Sequence, residues 1–107
     1  MKKVSILGTI WTIEERAYKD DPDLKECDGY CEQDIKLIVV QSDPDSSNVE
    51  KYKKQLLRHE IIHAFLFESG LGFNLNTVDN CHDEQMIDWF AIQYPKIKEV
   101  YRELDCE

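Results

Sequence analysis

Between residues 4 and 18 the β-branched and aromatic positions Val4, Ile6, Thr9, Ile10, Trp11, Thr12, Ile13 and Tyr18 partly alternate with polar ones. This pattern predicts one strand or a tight pair hinged near Gly8. Asp20-Asp21-Pro22-Asp23 reads as a loop, and Cys27-Asp28-Gly29-Tyr30-Cys31 as a turn leading into a well-buried strand over Ile35 to Val40. After the polar linker Ser42 to Asn48, a helical period runs from Val49 to Ser69 and closes at Gly70 and Gly72. A second helix is expected from Cys81 or His82 to Tyr94, capped by Asp79 or Asn80 and stopped by Pro95. A third helix, Lys96 to Leu104, would place Ile97, Val100, Tyr101 and Leu104 on one face. Strands first and helices afterwards predict an α+β fold, with residues 1 to 107 forming a single domain.

Length and charge narrow the partners. A chain of 107 residues supports one core and no large lid. With 22 acidic against 13 basic side chains the formal charge is −9, a field that repels phosphate backbones and anionic membranes. Neither a nucleic acid nor a membrane is therefore expected as partner. The longest apolar runs, Ile35 to Val40 and Ile61 to Phe67, are far short of a bilayer span. Lys2-Lys3 followed by a mildly apolar stretch is interrupted by Ser5, Thr9 and Thr12, so it is read as a strand rather than an export signal, and the protein as cytoplasmic. On that reading Cys27, Cys31, Cys81 and Cys106 are free, mostly buried thiols.

The chemistry concentrates at His59-Glu60-Ile61-Ile62-His63. Histidines four apart share a helix face and can ligate one zinc ion, and Glu60, one residue round, can take a proton from water. Only three histidines occur in the chain, and shuffling would produce this pentad with an expectation of about 0.006. A catalytic zinc takes three protein ligands. Leu66 and Ser69 stand where a metzincin would have its glycine and third histidine, which excludes that arrangement. Glu84, 21 residues after His63, is the expected third ligand, with His82, Asp83 and Asp88 as alternatives. Asp88, one turn beyond Glu84, is expected to accept the second ring N–H of a ligating histidine.

His-Glu-x-x-His followed on a later helix by Glu-x-x-x-Asp resembles the gluzincin class of zinc peptidases. The stretch Glu84-Gln85-Met86-Ile87-Asp88-Trp89-Phe90-Ala91 is similar to a segment of the ImmA/IrrE metallopeptidases, although Ile87 replaces a small residue. The chain also resembles small prophage proteins of Gram-positive bacteria that share the Cys-Asp-Gly-Tyr-Cys turn and the Arg-His-Glu-Ile-Ile-His-Ala-Phe-Leu-Phe-Glu-Ser-Gly-Leu helix. These resemblances imply a minimal zincin-like fold and one Zn²⁺ on His59, His63 and Glu84. They imply also a peptide or protein substrate, hydrolysed with Glu60 as general base. Tyr30, Tyr52 and His82 are candidates to stabilise the oxyanion, and the Leu37 to Val40 strand is a candidate edge for an extended peptide. A metal-stabilised binding module without turnover, or a zinc hydrolase of a non-peptide bond, are the alternative functions.

Overall fold

The computed structural model describes residues 1–70 and 84–107. The side chains of Glu84, Gln85, Ile87, Asp88 and Ala91 are outside that description. The expected tight pair is a hairpin of β1 (Lys2–Ile6) and β2 (Thr9–Arg16), paired antiparallel from Ile6↔Thr9 to Lys2↔Ile13. Its two-residue turn holds Leu7 at φ 50° and Gly8 at φ 91°. Two successive positive φ values match the twist of the flanking strands, and glycine takes the second without steric cost.

Asp21 opens a short 3-10 turn, Pro22–Lys25, by accepting from the Asp23 amide, and two further strands follow: β3 (Gly29–Glu32) and β4 (Leu37–Gln41). The sheet order is β1-β2-β4-β3, with β2 and β4 parallel and β3 antiparallel to β4. β4 is thus internal. All five of its residues are buried, because side chains on both its faces are covered. Ile38 enters the main core, while Leu37 and Val39 join Leu24 and Tyr30 on the opposite face. The edges are β1 and β3, so of the two readings open for Leu37 to Val40, an edge or a central strand, the central one holds and the edge is corrected. Ile35, expected within that strand, lies in the connecting turn at 62% exposure, beside Lys36 at φ 53°.

Helix α1 (Val49–Glu68) matches its expected span. Asn48 caps its start, with Oδ1 accepting from the Lys51 amide at 3.2 Å, and Gly70 at φ 84° closes it. Helix α2 (Glu84–Glu103) passes through Pro95 without a break, in place of the two helices expected on either side of it. An interior proline costs about 3 kcal/mol through a lost backbone bond and a crowded carbonyl. Trp89, Ile97, Val100 and Leu104 bury on one side of this segment, each contributing roughly 1.5–3 kcal/mol, which outweighs that cost. α2 lies antiparallel to α1: Trp89 Nε1 donates to Ser69 Oγ at 3.1 Å and the Tyr101 hydroxyl to the Arg58 carbonyl at 3.4 Å. Among the described residues no helix is long and apolar enough to cross a membrane.

Both helices pack on one face of the sheet, around Val4, Ile6, Trp11, Ile38, Ile61, Ala64 and Phe65. Glu68 pins the end of α1 to that sheet. Its carboxylate accepts from Thr9 Oγ1 at 2.9 Å and Trp11 Nε1 at 3.1 Å, and pairs with Lys36 Nζ at 2.9 Å. Lys36 also sits 5.4 Å from the Trp11 ring centre. Burial pushes the Glu68 carboxyl up, but the bonds from Lys36, Thr9 and Trp11 together hold it below its ordinary value of 4.5. A carboxylate depressed in the folded state adds stability above the unfolded value, and this is lost as pH falls through the folded value. Glu68→Gln, which keeps one acceptor oxygen and no charge, is therefore expected to cost about 1–3 kcal/mol at pH 7. In denaturant titrations the difference from the native chain should shrink below pH 4.5; a constant difference across that range would show that the charge is not what matters.

Candidate metal centre

α1 buries Ile61, Ala64 and Phe65 in the core and turns the neighbouring stripe, His59, Glu60, His63 and Phe67, toward a cleft of about 350 Å³ beside β3. One helical turn separates the two imidazoles. Their Nε2 atoms face each other at 3.2 Å, with ring centres 4.9 Å apart and planes at 67°. Two nitrogens bound to one tetrahedral zinc at the usual bond length stand about 3.3 Å apart, so the pair has the bite of a metal chelate. Burial, with the neighbouring His59 charge adding to it, pushes the His63 imidazole below its ordinary value of 6.5, toward the neutral form that binds metals.

Glu60 is 6% exposed. Burial raises its carboxyl above the usual 4.5, while the His59 charge pulls the other way. The carboxylate lies against Gly29 of β3. A Cβ built on Gly29 would stand 3.3 Å from Glu60 Oε2 and 3.0 Å from the Val39 carbonyl oxygen. Glycine is thus favoured by close approach: a methyl group there would crowd both the Val39 carbonyl and the Glu60 side chain. Cys31, on the same face of β3, lines the same cleft. Burial, with the Glu60 charge adding, pushes its thiol up to about 12, so it is protonated at neutral pH in the metal-free chain.

His59, Glu60 and His63 therefore line one cleft. Among the described residues, no group of three or more His, Cys, Asp or Glu side chains is arranged to hold a metal ion. The expected third ligand, Glu84, opens α2, but its side chain and that of Asp88 lie outside the described residues, as do Cys81, His82 and Asp83 entirely. The tyrosines expected as oxyanion stabilisers are otherwise engaged. The Tyr30 hydroxyl donates to Asp21 Oδ2 at 2.6 Å, on the face of the sheet away from α1, where Arg16 also donates to Asp21 at 3.0 Å. The Tyr52 hydroxyl donates to Asp28 Oδ2 at 2.7 Å. Cys27, Cys31 and Cys106 are free thiols, exposed, half-buried and buried respectively.

Sequence reasoning missed the part played by Asp28, Gly29 and Cys31. The signal was present in Cys-Asp-Gly-Tyr-Cys, but a four-residue strand containing glycine carries almost no periodicity, and the segment reads as a turn. The chain matches no protein-family model, no curated protein and no solved structure.

Two measurements probe this geometry. Titration of the purified chain should show one zinc ion per molecule, with His59→Ala or His63→Ala weakening it at least about 100-fold; stoichiometric zinc retained by either variant would remove that residue from the ligand set. Gly29→Ala should destabilise the fold by about 1–3 kcal/mol through overpacking. Part of that loss should vanish in a Glu60→Ala background, a coupling of about 0.5 kcal/mol or more in a double-mutant cycle. Strict additivity would mean that Gly29 and Glu60 do not share space.

Proposed function

We propose that this chain is a minimal zinc-dependent peptidase of the gluzincin kind. The reading is carried by the 3.2 Å separation of the His59 and His63 Nε2 atoms, with the buried Glu60 carboxyl lining the same cleft. His59 and His63 supply two ligands, and Glu84 the third on the strength of its spacing in the sequence. A zinc ion held there supplies Lewis acidity, lowering the pKa of water toward 7 and polarising a carbonyl. Glu60 takes a proton from the attacking water and passes it to the leaving amine nitrogen.

The edge strand supports a peptide as substrate. β3 pairs with β4 on one side and ends the sheet on the other, and its Gly29, Tyr30 and Cys31 line the cleft that holds His59, Glu60 and His63. An extended segment added along β3 would have its backbone held by strand hydrogen bonds and a peptide bond laid beside Glu60.

Glu60→Gln separates turnover from metal binding. It should retain zinc and lose at least about 100-fold in cleavage of a diverse peptide library relative to the native chain. If both forms bind zinc equally and neither cleaves any peptide, the reading fails in favour of a metal-stabilised binding module. For the third ligand, Glu84→Ala should weaken zinc binding more than His82→Ala, and the reverse order would move the role to His82.

A further inference from the structure

The cleft beside His63 continues past Gly29 and Glu60 into a second one of about 320 Å³, so a single groove runs along β3 and changes character at Glu60. On the His63 side the described residues of its walls include Cys31 and Phe67, together with the histidines and Glu60. On the other side the walls are Asp28, Tyr52, Gln55 and Leu56, with no lysine or arginine among them. Asp28 is fixed at two points. Its carbonyl accepts from the Gln41 amide at 2.7 Å, and its Oδ2 from the Tyr52 hydroxyl at 2.7 Å. No hydrogen bond to Asp28 Oδ1 occurs among the described residues, so this half-exposed carboxylate keeps acceptor capacity beside the groove.

We infer that the groove selects segments carrying a lysine or arginine on one side of the scissile bond, received by Asp28. Asp28 is the specificity-determining residue. Its hydrogen bond from Tyr52 restrains the rotamer before the ligand arrives, which lowers the ordering cost of binding. Leu56 and the Tyr52 ring offer apolar surface for the methylene stem of a long cationic side chain, whose charged head then meets the carboxylate. The net charge of −9 draws the same class of segment toward the molecule. The identification of the groove with a peptide site rests on the proposed peptidase reading.

Binding and cleavage test the two separately. Calorimetry on the metal-free chain, which cannot turn over by the proposed route, compares peptides identical except for lysine against norleucine, its uncharged counterpart in length. The lysine peptide should bind about 10-fold more tightly at low salt, and the difference should narrow in 1 M salt as screening removes the charge contribution. Asp28→Asn should bring the two within about 2-fold while Tyr52→Phe, which frees the carboxylate rotamer, reduces the difference in part. Unchanged near-ultraviolet circular dichroism checks that each variant is folded, and Asp28→Glu should restore part of the preference. Equal affinities in the native chain, no binding of either peptide, or a preference untouched by Asp28→Asn overturns the inference. In parallel, cleavage sites of the zinc-loaded chain in a peptide library are sequenced. Cleavage without basic enrichment overturns the inference and leaves the peptidase reading intact. A preference in binding with no cleavage overturns the peptidase reading and leaves the charge selection of the groove intact.

Discussion

Everything at the candidate centre depends on how closely α1 approaches the edge of the sheet. Ile61, Ala64 and Phe65 bury in the core and fix the rotation of the helix. That rotation leaves the adjacent stripe no choice but to face β3, and it carries three polar groups, His59, Glu60 and His63. A carboxyl can be held at 6% exposure in such a place only if the strand gives way, and Gly29 is where it does. The histidines remain at the mouth of the cleft, where a shared cation can satisfy both Nε2 atoms; the glutamate, behind them, is withdrawn from water and its pKa rises.

The same approach is held at the far end by Glu68. Thr9 and Trp11 come from the hairpin, and Lys36 from the turn before β4. One carboxylate therefore ties two elements, β2 and the turn before β4, to the last turn of α1. At the near end Tyr52 bonds to Asp28 just before β3 begins. Glu68 holds one end of the helix and Tyr52 the other, so the stripe of His59, Glu60 and His63 is kept against the edge strand β3. A centre assembled from so short a chain needs such bracing, because few core residues are available to hold a loop-borne site in place.

The long helix and the α+β order were legible along the chain, and the hairpin was one of two readings of residues 4 to 18, since each is written in local pattern and turn chemistry. The pentad on α1 was equally legible, because a spacing of four on a helix is a statement about one face. Pro95 was misleading: read locally it ends a helix, but the apolar residues on both sides of it bury together and carry the helix through. β3 was hidden for a related reason, its four residues being recruited to the sheet by pairing with β4 rather than by any alternation of their own.

By itself, then, the sequence determined that two histidines and a glutamate share one helix, since periodicity is a local property that neighbours in the chain cannot alter. Only the tertiary structure decided that the facing strand is β3 rather than β4, that Gly29 makes room for Glu60, and that Asp28 stands beside the groove on a bond from Tyr52. Strand order and close approach are set by pairing between residues far apart in sequence, and no window of residues read alone contains them.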